Sequence, residues 1–187
     1  MLLGPTLEER VRRLEDRTAI GELVARYCLV MDNREVEAIE ALFTPDVRIW
    51  SADGVMDARG RPAAVEMFRG RFAVLGPSNH FTHDRIVEFD PVDHDRASGL
   101  VLAHAEMQRK GQPMLAAIRY RDLYQRCEGR WRFRERGLSF MYYVPTAEYL
   151  DAFGAGVASR MRAYGHATPA DWPEQLPSWQ RYYGKQE

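Results

Sequence analysis

The stretch that decides the fold runs over residues 98–143: SGLVLAHAEMQRKGQPMLAAIRYRDLYQRCEGRWRFRERGLSFMYY. It is dense in aliphatic and aromatic residues and is broken at two places, Gly111-Gln112-Pro113 and Glu128-Gly129-Arg130, by residues that favour turns. The pieces between, 98–109, 114–126 and 131–143, are expected strands. A fourth, 79–89, precedes them across Asp93-His94-Asp95. Connections this short force antiparallel hairpins, because a parallel crossover needs about a dozen residues or more.

Upstream, the pattern changes to helical. Thr6 and Glu9 form a capping-box signature, and Leu7, Val11 and Leu14 recur at helical spacing. A denser stripe follows at Ile20, Leu23, Val24, Tyr27 and Met31 and is broken at Asp32-Asn33. A second helix is expected over about Arg34 to Phe43, closed by Thr44-Pro45-Asp46, and a strand over Val47 to Ser51 with a turn at Asp53-Gly54. A third helix begins near Arg61-Pro62, carries Val65, Phe68 and Phe72, and stops before Gly76-Pro77. Three helices followed by a meander of long strands predict an α+β fold in which one curved sheet wraps a helix, leaving a hollow where ligands sit.

The domain is expected to span residues 1–145. Residues 146–187 read as a C-terminal helix, at about 146–163, and an aromatic tail (Trp172, Trp179, Tyr182, Tyr183) packed on the body or on a neighbouring subunit.

The chain has 187 residues, 45% hydrophobic and 28% charged, ordinary for a globular domain with its own core. Its 26 basic and 27 acidic residues leave a net charge of −1, which argues against nucleic acid or a membrane surface as partner. Cys28 and Cys127 form no CxxC pair, and the opening MLLGPTLEER has no leader pattern, so a cytoplasmic location is expected. No nucleotide-binding glycine loop and no GxSxG elbow is present.

Five histidines can therefore be weighed singly. His94 and His166 fall in solvated positions. His80 and His83 form an HxxH, but on a strand residues three apart point to opposite sides, so one imidazole is expected in the hollow and one in solvent, with no metal. His104 shares its face with Leu100 and Leu102 and is expected inside, as a satisfied core histidine or as part of a site. Tyr27 lies in the apolar stripe of the first helix, and Asp32 stands at its end. A carboxylate facing a sheet is costly unless paired, and histidine is the natural partner, since the carboxylate fixes the imidazole tautomer and frees the other nitrogen as a base.

The frames LEDRTAIGELVARYCLVMDNREVEAIEALFTPDV, NHFTHDRIVEF and YRDLYQRCEGRWRFRERGLSFMYYVP, in this order and spacing, resemble the SnoaL-like branch of the nuclear transport factor 2-like superfamily. The resemblance implies a cone-shaped, cystatin-like α+β fold with a curved antiparallel or mixed sheet around the long N-terminal helix. It also implies a cofactor-independent lyase, dehydratase-like, with Asp32, His80, Tyr27 and His104 as catalytic residues. An isomerase, a cyclase, a C–C lyase or a non-catalytic ligand-binding domain remain the alternatives on the same pocket. Arg136 matches an active-site arginine of the branch, although strand alternation against Trp131 and Phe133 leaves it free to face outward. Trp50, Phe68, Phe72, Met107, Ile118, Tyr120 and Phe140 are the expected walls for a small hydrophobic, ring-containing substrate, with no cofactor and no metal. Homodimers or homotrimers are implied by the same resemblance.

Overall fold

The capping box at the start of the first helix is formed. Glu9 N–H donates to Thr6 Oγ1 at 3.2 Å and Thr6 N–H donates to Glu9 Oε2 at 2.6 Å in a computed structural model that describes residues 6–184. Residues 1–5 and 185–187, which belong to the expected domain and tail, lie outside the described residues.

Helix α1 (Leu7–Asn33) is closed by Arg34 in the left-handed region, at φ 61°, with its N–H on Val30 O. The apolar stripe from Ile20 to Met31 is buried, whereas Leu7, Val11 and Leu14 are exposed. The sheet meets the helix from about its third turn, where Arg13 lies over the Phe89 ring, Arg17 donates to Val87 O, and buried Asp16 accepts from Trp131 Nε1 at 3.0 Å. A 3₁₀ turn (Val36–Ala38) and the short α2 (Ile39–Leu42) lead to β1 (Phe43–Ser51), β2 (Asp57–Arg59) and α3 (Arg61–Phe72). The long strands β3 (Leu75–Phe89), β4 (Arg96–Arg109), β5 (Gln112–Cys127) and β6 (Arg130–Pro145) follow.

Strand order is β2-β1-β6-β5-β4-β3. The meander is antiparallel throughout, and β1 joins its β6 edge in parallel, which makes the sheet mixed. The two central hairpins are tighter than expected. Lys110-Gly111 and Glu128-Gly129 all have positive φ, the two-residue geometry that matches strand twist. The first strand also begins earlier than the sequence suggested, at Phe43, because Thr44-Pro45-Asp46 form an irregular stretch within β1 rather than a closing turn. Among the described residues no helix is long and apolar enough to cross a membrane.

The core lies between α1, α3 and the concave face. Several of its inner positions on β4 and β5 are small: Ala97, Gly99, Ala103, Ala105 and Ala116. A second cluster (Ala117, Tyr142, Val144, Ala152) sits on the opposite face under α4 (Tyr149–Gly154).

The expected helix over 146–163 is not continuous. It ends at Gly154, and Gly156 takes φ 79°, a conformation that suits glycine. Beyond it the chain runs along β6 past the end of β1. Tyr143 N–H donates to Arg160 O, Arg162 N–H to Tyr143 O, and Phe140 N–H to Asp171 Oδ2 at 2.7 Å. Arg160, almost fully buried, holds Glu174 and Met141 O. Trp172 receives the guanidinium of Arg119 at 3.9 Å from its ring centre. A last short helix, α5 (Pro177–Tyr183), carries exposed Tyr182 and Tyr183.

Arg136 shows how a local irregularity changes a face. The register between β5 and β6 shifts between Leu123 and Tyr124, so Arg134 is the extra residue of a bulge and the in–out alternation resets after it. Arg136 therefore points inward and is fully buried. Its Nε and Nη2 donate to both carboxylate oxygens of Asp122, at 2.9 and 2.8 Å, and its guanidinium lies 4.0–4.2 Å from the ring centres of Tyr27, Tyr120 and Phe133. Tyr124 Oη donates to the same carboxylate at 2.8 Å. Removing one member strands the other in a dry core. Asp122→Ala is expected to lower the unfolding free energy by about 3–5 kcal/mol and the melting temperature by about 6–20 °C, read by denaturant and thermal unfolding.

Candidate active site

Asp32 lies in the last turn of α1, and His80 lies on β3 where that strand passes the helix end. They meet. His80 Nδ1 and Asp32 Oδ1 are 2.7 Å apart, and the His80 backbone N–H donates to Asp32 Oδ2 at 2.8 Å. Ser78, two residues before His80 and so on the same face of β3, donates its hydroxyl to Asp32 Oδ1 at 2.7 Å. Three donors thus converge on one carboxylate. Burial pushes the Asp32 carboxyl up, but the bonds from His80 and Ser78 outweigh it and hold the group below its ordinary value.

A carboxylate in that state only accepts, so the proton between the pair sits on Nδ1. Nε2 is left with its lone pair and without a partner among the described residues.

Arg34 supports the arrangement from below. Its left-handed backbone turns its side chain back under the helix end, where the guanidinium donates to Met31 O, Gly76 O and, at 3.0 Å, Ser78 Oγ. It also stacks over the Phe72 ring at 4.6 Å. Neither Ser78 nor Arg34 was expected from the sequence. Strand period gives Ser78 once His80 is placed; nothing in the pattern points to Arg34.

His80 opens onto a cavity of about 600 Å³, its open mouth included. Tyr27, Phe68, Phe72, Met107, Ile118, Tyr120 and Phe140, all expected, line it together with Met31, Ile49, Met56 and Leu138, which were not. Burial raises the hydroxyl pKa of Tyr27, and that of Tyr120 well above the ordinary value, so both stay protonated across neutral pH. Neither hydroxyl has a protein partner among the described residues.

Three expected site residues lie elsewhere. His104 is on the convex face, exposed, with its Nδ1 2.6 Å from His83 Nε2. Its β4 neighbours Ala103 and Ala105 face inward instead. Trp50 is also on the outer face, packed over Gly137, where a Cβ would collide with its ring, and bonded through Nε1 to Glu135 at 2.8 Å. The cavity wall on β1 is its neighbour Ile49. Arg136 faces inward but lies beneath the rings of Tyr27 and Tyr120, spent on Asp122, and does not line the cavity. The HxxH divides across the sheet: His80 in the cavity, His83 outside. Among the described residues there is no cluster of three His, Cys, Asp or Glu side chains that could hold a metal ion.

The lowered Asp32 pKa fixes a pH dependence. A carboxylate with a depressed native pKa stabilises the fold above its unfolded value and loses that contribution as pH falls through the native one. Asp32→Asn should cost about 1 kcal/mol at pH 7, and the gap to wild type should close as pH drops below about 4, measured as unfolding free energy against pH.

Comparison with known proteins agrees with this architecture. A SnoaL-like domain model matches residues 12–137. The chain is 26% identical over 139 residues to a gamma-hexachlorocyclohexane dehydrochlorinase of Sphingobium indicum, covering 72% of this chain and 86% of the relative. Among solved structures, a candidate scytalone dehydratase from Novosphingobium aromaticivorans DSM 12444 shares the fold at a TM-score of 0.68 and 19% identity, covering 87% of this chain and 97% of that one. LinA does so at 0.68 and 22%, covering 74% and 94%. With a family model matched over most of its length and the same curved mixed sheet around one long helix, the chain belongs to the SnoaL-like family of the nuclear transport factor 2-like superfamily.

Proposed function

We propose that the protein is a cofactor-independent lyase that eliminates water or another small leaving group from a small hydrophobic, ring-containing substrate. The observation that carries this reading is the Asp32–His80 contact at 2.7 Å on the wall of an apolar cavity. His80 Nε2 takes a proton from the carbon next to the one bearing the leaving group. The electrons of that C–H bond become the new double bond, and the leaving group departs with its own bonding pair. Asp32 steadies the imidazolium that results. Where hydroxide leaves, the imidazolium Nε2–H returns the proton that turns it into water, while the Tyr27 hydroxyl, kept protonated by burial, donates a hydrogen bond to the departing oxygen. Tyr120, in place of His104, is the second hydrogen-bond donor lining the cavity. A base placed this way contributes about 10²–10⁴ in rate.

The relatives point to two substrates with which to begin, γ-hexachlorocyclohexane, followed by chloride release, and scytalone, followed by loss of water. On whichever is turned over, His80→Gln and Asp32→Asn should each lower kcat/KM by about 10²–10⁴ while the far-ultraviolet spectrum stays native. The Asn variant is informative because its amide N–H can donate to Nδ1, which moves the ring proton to Nε2 and removes the base without removing the ring. A near-normal rate in either variant refutes the dyad.

His104→Ala separates the two faces of the sheet. With His104 on the convex side, its loss should leave turnover within about twofold of wild type. A drop comparable to that of His80→Gln would mean that the second histidine reaches the substrate after all.

A further inference from the structure

The polar groups lining the His80 cavity are out of balance. Arg34, Arg71, Tyr27, Tyr120 and Tyr143 line it, all with hydrogens to donate, and no carboxylate does. Arg34 is spent on Met31 O, Gly76 O and Ser78. Arg71 is not. Its Nη1 lies 3.2 Å from Met56 Sδ, and it forms no ion pair among the described residues. Tyr143 Oη likewise donates to a thioether, Met107 Sδ, at 2.8 Å. A thioether is a weak acceptor, so these donors lack good acceptors.

The position of Arg71 sharpens the point. It lies on the α3 stripe that carries Ala64 and Phe68 inward, where helical spacing calls for an apolar residue. A half-buried guanidinium there, with only sulfur for company, is poorly compensated for its lost water. A ligand bearing charged oxygens would supply what the protein withholds. Arginine presents a planar fork that matches a carboxylate.

We propose that Arg71 is the anchor for a carboxylate carried by the ring-bearing ligand of this cavity, with the Tyr143 hydroxyl beside it as a further donor. The ring packs on Phe68, Phe72, Ile118 and Phe140, and the anionic end points toward α3. This deepens the lyase reading by naming an acidic substrate class, and it rests on the same cavity being the ligand site.

The test compares 1-naphthoate with 1-naphthamide, alike in ring and size but charged and neutral at pH 7, by isothermal titration. Wild type should bind naphthoate about ten- to a hundredfold more tightly than the amide. Arg71→Met should bring the two within about threefold by weakening naphthoate alone. Arg71→Lys, which keeps the charge but not the fork, should retain part of the preference, and it guards against a variant that simply fails to fold. Equal affinity in wild type, no detectable naphthoate binding at millimolar concentration, or a full preference retained in Arg71→Met overturns the assignment. The same titration in His80→Gln should show the preference unchanged. Binding is read without turnover, so failure of the anchor and failure of the dyad are told apart.

Discussion

A carboxylate in the last turn of a 27-residue helix sits where the peptide dipoles already concentrate partial negative charge, and α1 has no basic residue in that turn. Left alone, Asp32 would be destabilised there, or would take up a proton. It is held ionised because β3 brings the Ser78 hydroxyl, the His80 backbone N–H and the His80 ring to it at 2.7–2.8 Å, and because Arg34 covers the orphan carbonyl of Met31. This junction is where the helical half of the chain is fastened to the free edge of the sheet. It also sets the tautomer of His80, so the hydrogen bonds that close the fold are the ones that leave Nε2 its lone pair.

How much of this could be read beforehand depended on whether a local pattern survived tertiary packing. The pairing of Asp32 with His80 came from the family resemblance; the residues alone called for a histidine beside the carboxylate and left open which of His80 and His83 faces the hollow. His104 was misplaced for a physical reason. Leu100 and Leu102 are the bulky apolar residues of β4, and a strand's larger apolar side is ordinarily its inside. Here the concave face already holds the rings of Tyr27, Tyr120, Tyr124 and Phe133, and β4 contributes Val101, Ala103 and Ala105 to it while the leucines face out. Trp50 is likewise a large apolar residue on the outer face, its ring seated over Gly137.

Arg136 was illegible for another reason. Strand alternation predicts a face only while the register is unbroken, and one extra residue at Arg134 reverses it. The bulge places a cation among the rings of Tyr27, Tyr120 and Phe133, where cation–π contact and the bidentate bond to Asp122 compensate its burial together. Arg136 thereby fixes the rings of the two tyrosines whose hydroxyls reach the cavity.

The proposed choice of base follows from what each group already does. Asp32 accepts three hydrogen bonds and has its proton acceptors occupied. The hydroxyls of Tyr27 and Tyr120 are held protonated by burial, donate hydrogen bonds and are too weakly basic to take a proton from carbon. Ser78 donates to Asp32 and accepts from Arg34. The thioethers of Met56 and Met107 already face donors and are too weakly basic to take a proton from carbon. On the cavity wall that leaves one uncommitted nitrogen lone pair, on His80 Nε2. Proton abstraction at that atom, with the opposing donors receiving whatever negative charge develops, is the chemistry for which this arrangement of groups is suited.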